Sequence, residues 1–209
     1  MRAALLAAAA CLFPPGRAIS EAPTPGAPRA AFQVDAKTSR LTVETETVGL
    51  ASMFGHDHRF LARDFTGTIA LAPESPETAE LALTVRGDGL TLVEDLSDDA
   101  HREIAAALRD VVLETGKYPE IAFRSRSVTA RLNDDGSFDV KLAGDLTLHG
   151  VRRKIVVPAR VTRTAQGLRA TGGLELRQSD FKIKPYTFAK GTVRVKDTVA
   201  ISFDLLARR

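Results

Sequence analysis

Hydrophobic and polar residues alternate along most of the chain from Phe32 onward. The alternating runs lie at residues 32–34, 41–45, 65–71, 81–85, 121–125, 138–142, 168–176 and 199–205. A period of two is typical of strands that bury one face and expose the other. Turn signals separate most of these runs by about 8–15 residues, which is typical of an antiparallel sandwich or barrel.

The segment 144–161 predicts the clearest pair of strands. Leu146 and Leu148 alternate with polar residues, and the alternation resumes at Ile155 and continues to Val161. His149-Gly150 interrupts the run. Two amphipathic strands with a tight connection between them form an antiparallel hairpin.

One segment departs from the period of two and predicts a helix over residues 97–116. Ile104, Leu108, Val111 and Val112 fall on one helical stripe there. Ser97 or Asp98 can cap the start, and Gly116 suits the position just after the end. The pattern therefore predicts an all-β domain with one helix and about eight strands.

The N-terminal residues predict export. A basic start, an apolar run over residues 3–13 and small residues near Ala18 are typical of a secretory signal peptide at residues 1–18. Residues 19–31 are rich in proline and predict an extended linker. Residues 32–209 then form one domain, which is expected in the periplasm or outside the cell.

Composition excludes several classes of protein. Cys11 is the single cysteine and lies in the predicted signal peptide, so the mature chain has neither a disulfide nor a thiol nucleophile. Without Arg2 and Arg17, 27 basic residues face 26 acidic ones, which gives no basis for nucleic-acid binding. No apolar stretch of the mature chain is long enough to span a membrane. A homodimer stays open.

Two histidines are candidate metal ligands. His56 and His58 project to the same face of an extended segment, and with His149 as a third ligand they would form a zinc or copper site. The alternative is that the pair lies on a hydrogen-bonded rim, where Phe54 is a further candidate. Metal binding through His56, His58 and His149 is therefore the second hypothesis for function.

Catalytic groups are not arranged for a known reaction. His149 precedes Gly150 at a predicted turn, and no Gly-x-Ser-x-Gly nucleophile motif occurs. His149 is therefore expected to hydrogen-bond at the hairpin end rather than to act as a base. The cluster 152–154 is expected to be a solvated hairpin tip, with contact to a lipid head group as the lesser alternative. The sequence predicts a protein that is not an enzyme and needs no cofactor.

A barrel of about eight strands either fills its interior with side chains or holds one ligand. Alternation places a set of apolar residues inward as candidate cavity walls. These are Leu41, Val43, Phe65, Ile69, Leu83, Phe123, Val140, Leu146, Leu148, Ile155, Val157 and Ile201. A filled core, serving a structural or stress-response accessory, is the third hypothesis.

Several motifs in order resemble the YceI-like family of lipid- or polyisoprenoid-binding proteins. They are Phe32-Gln-Val-Asp35, Gly55-His-Asp-His58, Tyr118-Pro-Glu-Ile-Ala-Phe-Arg-Ser125, Gly144-Asp-Leu-Thr-Leu-His-Gly150 and Ser179-Asp-Phe181. The resemblance implies an extended, lipocalin-like antiparallel barrel that holds a long isoprenoid or acyl chain without catalysis. The expected partner is accordingly a long apolar small molecule such as a polyisoprenoid, an isoprenoid quinone or a fatty amide.

Overall fold

The computed structural model describes residues 29–48, 57–72, 75–188 and 192–209. The predicted signal peptide, most of the predicted linker, Phe54 and His56 lie outside these residues. Twelve strands, β1 to β12 in chain order, occupy the described parts. They are Ala30–Val34, Arg40–Val48, His58–Ala62, Phe65–Ala72, Ser75–Arg86, Leu90–Leu92, Glu120–Leu132, Phe138–Leu148, Val151–Thr164, Gly167–Arg177, Thr187–Phe188 and Val193–Arg208.

The strands form a closed antiparallel barrel. From β4 the ladder runs through β5, β7, β8, β9, β10 and β12, and β1 closes it by pairing with both β12 and β4. Strands β2, β3 and β6 continue the wall beyond β1, β4 and β5, so the barrel has eight staves and three of them are interrupted. The predicted eight-stranded all-β barrel with one helix is confirmed.

The predicted hairpin is β8 and β9 joined by two residues. Leu148 pairs with Val151, and His149 and Gly150 between them have φ of 50° and 70°. Positive φ at both central residues is typical of the type I′ turn, whose twist matches that of paired strands. A Cβ atom at position 150 would lie 2.5 Å from the Tyr118 ring and collide with it, so glycine is required there.

The helix forms where the sequence predicts it, but its buried face differs from the predicted one. Helix α1 spans Asp98–Ala106, and the Ser97 hydroxyl accepts a hydrogen bond from the Ala100 N–H at 3.3 Å. It continues as a wider π-helical turn over Ala107–Val112. The wider turn leaves Val111 62% exposed, so the prediction that Val111 joins the buried stripe is wrong.

The helical segment ends at Glu114 rather than at a glycine. Glu114 has a φ of 46°, and its carbonyl accepts hydrogen bonds from the N–H groups of Lys117 and Tyr118. Gly116 is not in the left-handed region, so its predicted role as the residue after the helix end is also wrong.

Short strands account for the other differences from the predicted elements. Strands β3, β6 and β11 have five, three and two residues and no alternating run of their own in the prediction. Strand β1 begins at Ala30, two residues inside the predicted linker. In the described part of the chain, no helix is long and apolar enough to cross a membrane.

Candidate apolar binding cavity

The barrel interior contains a cavity of about 230 Å³, called here the barrel compartment. Its described lining is apolar except for Arg163, which lies where β9 approaches its end. Nine of the twelve predicted wall residues line it: Leu41, Ile69, Leu83, Phe123, Val140, Leu146, Ile155, Val157 and Ile201. Alternation locates these residues because each stave turns every second side chain inward.

A second cavity of about 560 Å³ lies beneath the helical segment and is called here the helix compartment. The predicted wall residues Val43 and Leu148 line it, together with Ile104, Leu108 and Val112 of the helical segment. Its lining also includes the polar or charged residues Thr45, His58, Glu103, Arg177, Gln178 and Tyr186. This compartment therefore has a mixed lining, in which apolar residues predominate and Glu103 is the charged residue that the helical segment contributes.

The two compartments share wall residues. Ile121, Leu146, Leu176 and Ile201 line both, so the cavities adjoin at these four side chains. Small-molecule sites usually have volumes of about 300–1,000 Å³. The helix compartment alone falls in that range, and the barrel compartment extends it with apolar space. A core completely filled by side chains does not describe this interior.

Phe65 is the predicted wall residue with a different position. It is 4% exposed and belongs to a core cluster with Leu41, Ala62, Val85 and Leu205 rather than to the lining of either compartment. It starts β4 and is buried in phase with Gly67 and Ile69, as alternation predicts. Phe65 therefore points inward but packs in a core cluster instead of lining a cavity.

Sequence reasoning missed the contribution of the helical segment and of several inward strand residues. Ala100, Ile104, Leu108 and Val112 line the helix compartment, and Phe203 lines the barrel compartment. The signals were available, since the helical stripe and the alternation of the last strand contain these residues. What the pattern does not show is which compartment each side chain faces.

His58 lies at the boundary between the helix compartment and a polar surface groove. Its Nδ1 is 3.7 Å from Glu94 Oε2, and both atoms are buried without a hydrogen-bond partner in the described part of the chain. The other Glu94 oxygen accepts a 2.5 Å hydrogen bond from the Arg59 N–H. Because His56 and Phe54 lie outside the described residues, the predicted rim and metal ligands remain predictions. Among the described residues, no three His, Cys, Asp or Glu side chains are grouped to hold a metal ion.

His149 joins three segments at the helix end of the barrel. Its Nε2 is 2.6 Å from Glu114 Oε2, and its Nδ1 is 3.3 Å from the Phe181 carbonyl oxygen. Its ring centroid is 4.4 Å from that of Tyr118. Each ring nitrogen therefore faces an oxygen of a different segment. The side chain, 9% exposed, thus ties the turn to the end of the helical segment.

The turn Gln178–Phe181 forms the adjoining wall of the helix compartment. Gln178 is buried and donates from Nε2 to the Lys196 carbonyl at 2.7 Å. The Ser179 hydroxyl and N–H donate to the Asp197 carboxylate at 2.6 and 2.8 Å. These hydrogen bonds, the hydroxyl first, hold the pKa of Asp197 below its ordinary value because they stabilise the charged carboxylate. The wall is therefore fixed to β12 by polar contacts.

The chain is similar in sequence to curated bacterial proteins. It is 30% identical over 131 residues to Protein YceI of Escherichia coli O17:K52:H18, covering 58% of this chain and 61% of that protein. It is 33% identical over 98 residues to a UPF0312 protein of Pseudomonas fluorescens, covering 46% of each. The chain thus spans less than two thirds of the length of these relatives.

Solved structures share the fold. BcnA of Burkholderia cenocepacia aligns with a TM-score of 0.63 at 18% identity, covering 82% of this chain and 98% of BcnA. A polyisoprenoid binding domain from Saccharophagus degradans, implicated in plant cell wall breakdown, aligns with a TM-score of 0.58 at 15% identity, covering 85% and 97%. The YceI-like domain family matches residues 32–207, nearly the whole described barrel. The chain belongs to the YceI-like family.

Proposed function

We propose that this protein is a non-enzymatic periplasmic or secreted binding protein for a long apolar molecule. The ligand class is a polyisoprenoid, an isoprenoid quinone or a fatty acyl chain or amide, bound as cargo and not as a cofactor. The observation that carries the proposal is the pair of adjoining cavities, an apolar barrel compartment and a larger compartment with mixed walls. An apolar compartment beside a compartment with mixed walls suits a long apolar molecule that has a polar group at one end.

Burial supplies the binding free energy in this proposal. Each Å² of apolar ligand surface removed from water contributes about 25 cal/mol before the cost of ordering the ligand. The chain would lie in the barrel compartment, where hydrogen-bonding partners are scarce. The polar end would remain in the helix compartment near Arg177, Gln178 and Tyr186, since a polar group buried without a partner is costly.

Two further observations support binding rather than catalysis. The fold is shared with a domain described as polyisoprenoid binding. Both ring nitrogens of His149, the histidine at the most specific sequence motif, are directed at Glu114 and Phe181, so neither is directed at a substrate. Export to the periplasm or beyond is supported by the signal-peptide pattern of residues 1–18.

Native mass spectrometry tests the proposal directly. Protein purified without detergent from the periplasm should have a mass greater than that of the polypeptide. Organic extraction should remove the excess mass, and the organic phase should contain a long-chain lipid. A clean mass of the polypeptide alone, with no extractable lipid, would contradict the proposal. Elemental analysis of the same sample tests the metal hypothesis, which requires a stoichiometric metal that a His58→Ala variant loses.

A further inference from the structure

Exposed basic side chains gather around the turn at the helix end of the barrel. We call this set the basic rim, and it consists of Lys117, Arg152, Arg153, Lys154, Lys182 and Lys184. The prediction that residues 152–154 form the hairpin tip is wrong, because they lie in β9 and the turn is His149-Gly150. The proposed function makes no use of the cluster. The structure brings further cations from two other segments to the same place.

A chain of contacts joins the segments that carry the rim. Lys117 Nζ lies 4.8 Å from the centroid of the Tyr118 ring, which in turn contacts His149 in the turn. Arg153 donates from Nε to the Asp180 carbonyl at 2.9 Å, and His149 bonds the next carbonyl along. The loop after α1, the β8–β9 turn and the segment 178–184 are therefore held together, so their cations form one surface.

Four of the rim cations lack carboxylate partners in the described part of the chain, whereas five arginines at the opposite end of the barrel have them. Within the described residues, Arg152, Lys154, Lys182 and Lys184 form no ion pair. At the opposite end of the barrel, around the β7–β8 and β9–β10 turns, arginines are paired with carboxylates. The pairs are Arg29–Glu80, Arg131–Asp139, Arg160–Asp135, Arg169–Asp204 and Arg208–Asp35.

Acidic groups near the rim do not cancel its charge. Glu114 is bonded to His149, and Asp145, which faces Lys154 across the ladder, is paired with Arg126. Asp180 is the remaining carboxylate in the adjoining turn. The rim therefore carries an excess of positive charge in a protein with little net charge, and an anionic surface is its electrostatic complement.

The rim lies next to the cavity. Lys182 and Lys184 flank Ile183, which is 3% exposed and lines the helix compartment. Leu148, which lines the same compartment, directly precedes the turn. Cations that point outward thus alternate with apolar side chains that point inward at the same end of the barrel.

We propose that the basic rim docks the protein on the surface of an anionic lipid bilayer, with the helix compartment facing the membrane. Each Lys or Arg near such a surface contributes about 1 kcal/mol, so a few cations suffice for reversible binding. Docking through this end would place the compartment under the helical segment within reach of a lipid in the bilayer. The inference goes beyond the proposed function, because docking requires no ligand in the cavity.

Vesicle sedimentation with the full chain tests the docking surface. One variant carries Arg152→Gln, Lys154→Gln and Lys182→Gln, and the control removes the same charge at the opposite end through Arg131→Gln, Arg160→Gln and Arg208→Gln. Wild type and control should bind phosphatidylcholine vesicles that contain phosphatidylglycerol and should not bind phosphatidylcholine alone. The rim variant should bind the anionic vesicles about 100-fold more weakly, and high salt should abolish binding.

Two results would overturn the proposal. Equal loss in the rim and control variants would show that only total charge matters, and equal binding to both vesicle types would show that the contact is not electrostatic. Circular dichroism verifies that each variant is folded. Lipid loading by native mass spectrometry is measured separately, so a failure of docking and a failure of the proposed function give different results.

Discussion

The barrel compartment and the helix compartment are built by different means. The first is enclosed by eight staves whose inward side chains are fixed by the backbone ladder, and Arg163 is the charged residue in its described lining. The second is more than twice as large and is enclosed partly by a helical segment that a few contacts hold in place. The comparison indicates an apolar compartment held by the strand ladder beside a compartment whose helical wall is held by fewer contacts.

The covering segment has the features of a region with low local stability. None of the residues of α1 or its π-helical extension is fully buried. Its anchors are the cap at Ser97, the Glu114–His149 pair and apolar contacts such as that of Leu108 with the main core cluster. Elements that open to admit ligands are drawn from the less stable parts of a fold. Changes in the two compartments should therefore have different effects.

Filling the barrel compartment should have the largest effect. Ala170→Phe adds a ring among the inward side chains. If the ring prevents burial of three methylene groups of the ligand, geranylgeraniol should bind about 50-fold more weakly. Thr171→Phe is the matched control, because Thr171 faces outward on the same strand. Isothermal titration measures both. Equal binding by wild type and Ala170→Phe would show that the chain does not occupy this compartment.

Removing an apolar contact of the cover should lower stability. Leu108→Ala should reduce the free energy of unfolding in urea by about 2 kcal/mol, since Leu108 packs on the main core cluster. Val111→Ala should change it by less than about 0.5 kcal/mol because that side chain is 62% exposed. Similar losses of unfolding free energy in the two variants would contradict the π-helical turn and would support a regular helix that buries Val111.

Cutting the link between turn and cover should have a slightly smaller effect. His149→Ala removes the hydrogen bonds to Glu114 and Phe181 and should lower the free energy of unfolding by about 1.5 kcal/mol. His149→Gly relieves the positive φ while removing the same contacts, so it should be less destabilising than alanine. An alanine variant as stable as wild type would show that the contacts contribute nothing.

The smallest effect concerns acid stability of the turn beside the helix compartment. The pKa of Asp197 is below its ordinary value of 3.8, so the carboxylate stabilises the fold above that pH and loses this contribution as the pH falls through the lower folded value. The difference in unfolding free energy between wild type and Asp197→Asn should therefore be constant above 3.8 and shrink below it. Ser179→Ala, which removes the hydroxyl donor, should show the same trend. A difference that grows in acid would contradict the assignment.

The regular part of the molecule is predictable because its rule is local. Alternation locates nine of twelve proposed wall residues in the barrel compartment without knowledge of which strands pair. Alternation places Phe65 inward but does not show that it packs in a core cluster, and strands as short as β3 and β6 give no run long enough to recognise. The regular helical period fails at the π-helical turn, where an extra residue per turn rotates Val111 outward.

Tertiary contacts account for what the sequence pattern does not show. The motif that contains His149 predicts a turn residue, but its partner Glu114 is 35 positions away and becomes adjacent only when the helical segment folds over the barrel. The charge contrast between the two barrel ends is likewise invisible in a count of basic and acidic residues. It depends on which arginines find carboxylates across the strands.

The central claim is that a long apolar chain lies in the barrel compartment. The most direct measurement is the affinity for isoprenoid alcohols of increasing length, from geraniol through farnesol to geranylgeraniol, by isothermal titration. In wild type, affinity should rise with each isoprene unit, because each unit buries more apolar surface, and in Ala170→Phe this rise should be cut short. An affinity independent of chain length, or the same rise in both proteins, would contradict it.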